Sequence, residues 1–129
     1  MKTIDLIMLI DDNEMDNIYH QHVLRKAGVA REIIVMESGE AALAYLQQPG
    51  AALPNLIFLD INMPSMNGFE FVEAYGRLEP VPSSMIIVML TSSSSPEDQE
   101  RARRYALIKT YLTKPLTGAA VQEVVDEFF

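Results

Sequence analysis

Apolar residues along this chain fall into five short runs, and a segment with helical spacing of apolar and polar residues follows each run. Residues 56–59 form the clearest run, because four consecutive apolar residues predict a strand that is buried on both faces. This run leads directly into Asp60, and the proline-, asparagine- and glycine-containing segment 62–68 predicts a loop. The predicted strands span residues 4–10, 33–36, 56–59, 85–90 and 110–113.

The segments that follow these runs predict five helices. Asn13 is a good N-cap for the first helix, and Gly28 ends that helix. Before the fourth helix, Ser95 is the predicted N-cap, Pro96 takes the first position and Asp98 completes a capping box, which explains the serine-rich segment structurally. The predicted helices run from 13 to about 27, from 40 to about 47, from 68 to 78, from 96 onward and from 117 onward.

Five strands that alternate with five helices predict an α/β fold, in which helices cover both faces of a parallel sheet. Residues 1–129 form one predicted domain without an internal repeat, and this length suffices to bury a substantial core. Pro80 and Pro82 lie in the predicted connection between the third helix and the fourth strand.

Composition narrows the classes of protein that this fold can serve. A hydrophobic content of 49% argues against disorder, and no apolar run approaches the ~20 residues that span a bilayer. Without cysteine the chain has no disulfide, no thiol nucleophile and no Cys-type zinc site. The formal net charge of −8 disfavours binding to nucleic acid or anionic lipid, and the start of the chain lacks the shape of a signal peptide. We therefore expect a cytoplasmic protein.

Polar residues follow several of the predicted strands, at the end of each strand. Because the carboxyl ends of parallel strands lie along one edge of a sheet, these residues should converge there. Three of them are carboxylates that repel one another, and the single ammonium among them is too little to offset that repulsion. Oxygen ligands with room for water suit magnesium (Mg2+) better than zinc or copper. The converging residues are Asp11, Asp12, Asp60, Thr91 and Lys114.

A metal, a lysine and a hydroxyl around one carboxylate form an arrangement suited to phosphoryl transfer. The two positive charges would neutralise phosphoryl oxygens while the carboxylate of Asp60 attacks in line.

Four motifs closely resemble the receiver domain of two-component response regulators. They are Asp11-Asp12, the run from Asp60 to Gly68, Thr91-Ser92, and Tyr111-Leu112-Thr113-Lys114-Pro115. Each motif alone is weak, but the four together, each at the end of a separate predicted strand, are specific. The resemblance covers essentially the whole chain and implies a doubly wound, flavodoxin-like sheet with the strand order 2-1-3-4-5.

The resemblance also implies a role for each acidic residue. Asp60 would be the phosphoacceptor. Asp12 and Asp60 would ligate Mg2+ directly, together with the backbone carbonyl of Asn62, and Asp11 would hold the ion through water.

The same resemblance assigns roles on the fourth and fifth strands. Thr91 and Lys114 would bind phosphoryl oxygens. Tyr111 would be the switch aromatic that turns inward when Thr91 moves toward the phosphoryl group, and the loop 92–95 would follow that movement. The Lys114–Pro115 peptide bond is expected to be cis.

The implied function is that of a single-domain response regulator without an output domain. It would accept a phosphoryl group from a sensor histidine kinase or a histidine phosphotransfer protein, and signal through protein contacts or a phosphorelay. Such a domain assists its own phosphorylation and dephosphorylation but is not an enzyme with turnover. The family's usual contact face, which also allows a homodimer, comprises the fourth helix, fifth strand and fifth helix; here it carries Arg101, Arg104, Lys109 and Tyr111.

Three other classes of protein fit these residues less well. An aspartyl-phosphate phosphatase needs a second acid two residues after its nucleophile, where this chain has Asn62. A flavodoxin-like electron carrier binds a cofactor phosphate after the first strand, where Asp11-Asp12 would repel it. A degenerate receiver that serves only as a docking module is opposed by the intact set of site residues.

Several polar side chains have simple structural interpretations. His20 and His22 are interpreted as surface residues of the first helix. The arginines at 101, 103 and 104 are interpreted as a solvated face that pairs with neighbouring glutamates. The apolar side of the first helix is assigned to Tyr19, Val23, Leu24 and Ala27.

Overall fold

The computed structural model describes residues 3–78, 85–92 and 95–129. Within them, five parallel strands form one sheet in the order β2-β1-β3-β4-β5, as predicted. Four helices connect consecutive strands, and a fifth follows the last strand. Along the chain, the elements are β1 (Ile4–Ile10), α1 (Glu14–Ala27), β2 (Ala30–Met36), α2 (Gly39–Leu46), β3 (Leu56–Leu59), α3 (Gly68–Gly76), β4 (Ile86–Thr91), α4 (Pro96–Arg103), β5 (Ile108–Thr113) and α5 (Gly118–Phe128).

Alternate residues of the central strands point to opposite faces, so that the sheet separates two hydrophobic cores. One core packs side chains of β1, β3 and β4 against α2, α3 and α4, with Phe69, Phe71 and Tyr75 as its largest members. The other packs the remaining strand residues against α1 and α5, where Leu24 and Val125 are completely buried. The central strand β3 is buried along its whole length, which explains its uninterrupted apolar sequence.

Polar caps determine where the helices begin. At each N-cap a side-chain oxygen accepts a hydrogen bond from the backbone N–H three residues later, which satisfies one of the donors that a helix start leaves unpaired. Gly28 ends α1 with a φ of 68°, in the left-handed region that favours glycine. The capping residues are Asn13, Ser38, Asn67, Ser95 and Thr117.

The buried face of α1 differs from the prediction. Tyr19 is 48% exposed, whereas the polar residues Asn17 and His20 are buried beside Leu24. The first turns of α1 lie against the polar edge of the sheet, where the Asn17 side chain donates a hydrogen bond to the Asp11 carbonyl oxygen over 2.8 Å. Of the four predicted apolar residues, Val23, Leu24 and Ala27 do pack on the core, and the prediction is wrong only at Tyr19, because the first turns of the helix pack on polar groups.

Strand and helix ends differ from the prediction by a few residues. β2 begins at Ala30 and β5 at Ile108, both earlier than predicted, and α3 ends at Gly76. Both strands lie at the edges of the sheet, where half-exposed residues interrupt the apolar pattern. The predicted connection through Pro80 and Pro82, and residues 93–94 of the loop 92–95, lie outside the described residues. In the described part of the chain, no helix combines the length and apolar character that crossing a membrane requires.

Candidate functional site

Two buried carboxylates lie side by side at the carboxyl edge of the sheet. Asp11 follows β1 and Asp60 follows β3, and the Asp60 N–H donates to the Ile10 carbonyl oxygen over 3.0 Å. Asp11 is 4% exposed and Asp60 is 6% exposed, whereas the neighbouring Asp12 is exposed. Carboxylate oxygens of these three residues lie within 4.8 Å of one another, so the predicted acidic cluster is present.

The crowding of these acids changes the chemistry of Asp60. Burial, followed by the charge of Asp11, raises the pKa of Asp60 from 3.8 to about 6. The ammonium of Lys114 and a hydrogen bond from the Asn62 backbone N–H act in the opposite direction but do not cancel the effect. The negative charge of ionised Asp60 is therefore only partly neutralised, and an added cation or an electrophilic phosphorus centre would stabilise it.

The side chain of Lys114 extends from the end of β5, past β4, to the acidic cluster. Its Nζ lies 2.6 Å from Asp11 Oδ2, 2.7 Å from Asp16 Oδ2 and 3.8 Å from Asp60 Oδ1. Burial alone would lower the pKa of Lys114, but the hydrogen bonds to Asp11 and Asp16 outweigh it and the pKa is raised. Asp16 is a site residue that the sequence pattern did not predict, because an acid in the first turn of a helix is ordinary.

The beginning of α1 fixes the position of Asp11. The backbone N–H of Asn13 donates to Asp11 Oδ1 over 2.9 Å, while the Asn17 side chain holds the Asp11 carbonyl. Asn17 Oδ1 is buried without a hydrogen-bond partner among the described residues. Asp11 is thus held at both its main chain and its side chain, which limits how far it can move away from Asp60.

The remaining predicted residues lie on β4 and β5. Thr91 is fully buried, and its carbonyl oxygen accepts a hydrogen bond from the Lys114 N–H over 2.7 Å. Tyr111 pairs in register with Met89 and packs, partly buried, against the core beneath α2, α3 and α4. The Lys114–Pro115 bond is cis, as predicted.

Gly68 allows α3 to begin directly against the main chain of Asp60. A Cβ at this position would lie 2.7 Å from the Asp60 carbonyl oxygen and 3.0 Å from Ile61 Cα. The Gly68 N–H also donates to the Ile61 carbonyl oxygen over 2.9 Å. The loop after β3 is therefore packed tightly against the start of α3.

The surface interpretation of His20 is wrong, and that of the arginines is incomplete. His20 is only 2% exposed and lies near the site, and its pKa is lowered by burial and then by the charge of Lys114. Arg101 is exposed, as predicted, but its guanidinium carbon also lies 4.4 Å from the ring centroid of Phe69, in cation–π geometry. Arg103 does pair with Glu100 over 3.2 Å, as predicted.

The donor set at the edge of the sheet fits a small, hard divalent cation. All three clustered side chains offer carboxylate oxygens, and exposed Asp12 leaves one side open to water. Magnesium prefers one or two carboxylates and retains several waters, whereas a zinc site usually contains nitrogen or sulfur ligands. Asp11, Asp12 and Asp60 are therefore the residues that would hold such an ion.

Residues 7–126 match the family model described as "Response regulator receiver domain". This match spans most of the chain, and the chain therefore belongs to the response regulator receiver domain family. The predicted family, fold class and strand order are all confirmed.

Individual relatives agree with this family. Response regulator Rcp1 of Synechocystis sp. (strain ATCC 27184 / PCC 6803 / Kazusa) is 36% identical over 113 residues, which are 84% of this chain and 76% of Rcp1. A two-component response regulator from Cytophaga hutchinsonii has a crystal structure that matches with a TM-score of 0.90 at 32% identity, covering 98% of each chain. The Mn(2+)-bound form of response regulator Rcp1 matches with a TM-score of 0.78 at 29% identity, over 95% of this chain and 93% of that one.

Proposed function

We propose that Asp60 accepts a phosphoryl group from a sensor histidine kinase or a histidine phosphotransfer protein, in a site that also binds Mg2+. The observation that carries this proposal is the position of Asp60, buried beside Asp11 and within 4 Å of the Lys114 ammonium. A carboxylate that is ionised at neutral pH despite burial is a competent nucleophile. The protein would act as a single-domain response regulator in the cytoplasm.

The transfer itself needs little covalent chemistry from the protein. A carboxylate oxygen of Asp60 forms a bond to phosphorus while the bond from phosphorus to the histidine nitrogen breaks, and the imidazole keeps the electron pair. Lys114 and the hydroxyl of Thr91 donate hydrogen bonds to phosphoryl oxygens and stabilise their charge. A bound divalent cation would supply further positive charge at the same oxygens.

The metal would be held by Asp11, Asp12 and Asp60, with the backbone carbonyl of Asn62 as an additional ligand. Support comes from the all-oxygen cluster and from the Mn(2+)-bound form of the relative Rcp1. Mn2+ and Mg2+ accept the same carboxylate and water ligands.

Output would follow from a two-state change on the far side of the sheet. Movement of Thr91 toward the phosphoryl group would leave space for Tyr111 to turn inward, which reshapes the face formed by α4, β5 and α5. That face would contact a downstream protein or a second copy of the chain, or the phosphoryl group would pass onward in a phosphorelay.

Phosphorylation with a small donor tests the nucleophile. Incubation with acetyl phosphate and Mg2+ should add one phosphoryl group, which intact-mass spectrometry detects. Asp60→Asn should abolish the modification, and Lys114→Ala should weaken it by removing charge at the transferring group. Modification that persists in Asp60→Asn would contradict the assignment.

A separate substitution tests the switch. Tyr111→Ala should leave modification of Asp60 nearly intact, but it should remove the change in partner affinity that beryllofluoride, a phosphoryl mimic, induces in the wild type. If the variant keeps the full change in affinity, Tyr111 is only a strand aromatic.

A further inference from the structure

Lys114 contacts an acidic residue that lies outside the metal cluster. Of the three carboxylates within 4 Å of its Nζ, Asp11 and Asp60 belong to the cluster that would hold a cation, and Asp16 does not. An ammonium has three protons to donate. Two are directed to Asp11 and Asp16 at 2.6 Å and 2.7 Å, and Asp60 is left at 3.8 Å.

The position of Asp16 makes its contact with Lys114 specific. It lies in the first turn of α1, where the Asn13 cap fixes its backbone, and its side chain is 38% exposed. The two residues are separated by 98 positions in sequence, so that the contact follows from the tertiary fold and not from local helical pairing. Asp16 is therefore not part of the hydrophobic core, and its carboxylate can be replaced without disturbing the packing there.

We propose that Asp16 is a positioning residue that holds the Lys114 ammonium away from Asp60 before phosphorylation, and so limits how tightly the site binds a phosphoryl group. This inference rests on the function proposed above. When a phosphoryl group is present, its oxygens compete with Asp16 for the same ammonium protons. A cation on Asp11 and Asp60 would weaken the attraction of those two acids for Lys114, which leaves Asp16 as its main competing partner.

The test measures binding of beryllofluoride in the presence of Mg2+, by calorimetry, to the full chain. Asp16→Asn should bind the mimic about fivefold more tightly than the wild type, the size expected when one partly exposed charged contact is lost. Glu14→Gln is the matched control: Glu14 is also an acidic residue in the first turn of α1, but among the described residues it forms no ion pair with Lys114. It should bind like the wild type.

Two further variants separate positioning from a general structural effect. Asp16→Glu keeps the carboxylate and should return the affinity toward the wild-type value. In a Lys114→Ala background, Asp16→Asn should change the affinity no more than Glu14→Gln does, because the ammonium through which Asp16 acts is gone.

The outcomes distinguish this inference from the function on which it rests. If the wild type binds no beryllofluoride, the proposed phosphoacceptor site is wrong. If the wild type binds but Asp16→Asn behaves like Glu14→Gln, or keeps its full effect without Lys114, the role of Asp16 is wrong and the phosphoacceptor stands. Thermal unfolding of each variant without metal establishes that it is folded.

Discussion

Polar groups are paired with one another at the amino edge of the sheet, whereas like charges are crowded together at its carboxyl edge. At the amino edge, Asn55 links three strands: its side-chain oxygen accepts a hydrogen bond from the Leu6 N–H, its own N–H donates to the Leu6 carbonyl, and its carbonyl accepts from the Ile86 N–H. At the carboxyl edge, Asp11 and Asp60 bring like charges together under burial, and one lysine offsets them only partly.

This difference indicates which edge serves stability and which serves function. Polar groups that are mutually paired stabilise the fold, and removing one of them should destabilise it. Like charges that are buried together oppose folding, so removing one of them should stabilise the protein while it destroys the site. The sign of a substitution's effect on stability therefore separates the two edges.

The largest effect is expected at the carboxyl edge. Asp60→Asn should increase the free energy of unfolding at pH 7.5, without divalent metal, by about 2–3 kcal/mol, because the raised pKa of about 6 makes the charged form unfavourable in the folded state. Urea unfolding followed by circular dichroism measures this change. A destabilised Asp60→Asn protein would remove the contrast between the edges.

The same effect should depend on pH. A carboxyl group with a raised folded-state pKa binds its proton more tightly when folded, so Asp60 opposes folding above about pH 6, and this opposition fades as the pH falls toward 3.8. The advantage of Asp60→Asn should thus shrink to roughly one third at pH 4.5. The wild type and the variant must be compared at each pH, because His20 also affects both proteins. Its pKa is lowered by burial, so both lose stability through His20 as the pH falls.

A smaller effect of opposite sign is expected at the amino edge. Asn55→Ala removes the acceptor for the Leu6 N–H and should decrease the free energy of unfolding by about 1–2 kcal/mol. Asn55→Asp keeps an acceptor oxygen at that place and should lose less. If both substitutions stabilise the protein, the amino edge does not contribute to folding in the way described.

The smallest effect is expected where a charge pair lies in solvent. Arg31 and Asp5 form an ion pair of 3.3 Å across β1 and β2, but their side chains are 73% and 76% exposed. Arg31→Ala should change the free energy of unfolding by less than about 0.5 kcal/mol, as is usual for exposed pairs. A loss comparable to that of Asn55→Ala would mean that exposure does not govern the strength of these contacts.

The order of elements could be predicted because each local pattern agreed with the fold. Buried strands such as β3 read as apolar runs, and caps such as Asn13 and Thr117 define helix starts in the sequence itself. Because the carboxyl ends of parallel strands lie along one edge, the sequence also predicted that Asp11, Asp60 and Lys114 converge. The roles assigned to Thr91, Asn62 and Tyr111 in phosphorylation stay predictions.

What the sequence could not predict depends on contacts between distant segments. The pairing of Asp16 with Lys114 joins the first turn of α1 to the residue after β5, and no local sequence pattern relates these two segments. His20 was assigned to the surface because no ligand pattern lies near it in the sequence, whereas the fold buries it close to the site. The stacking of Arg101 on Phe69 likewise depends on the approach of α4 to α3.

Gly68 has no side chain, yet its position is as important for the site as those of the acidic residues. In a library of all single substitutions, selection for signalling should deplete nearly every variant at 68, since even alanine would overlap main-chain atoms of Asp60 and Ile61. Gly39 is a useful contrast: a Cβ there meets the end of the flexible Met66 side chain at 2.8 Å, and that side chain can rotate away. A profile of tolerated substitutions would therefore rank Gly68 with the acidic residues, and Gly39 with the ordinary core.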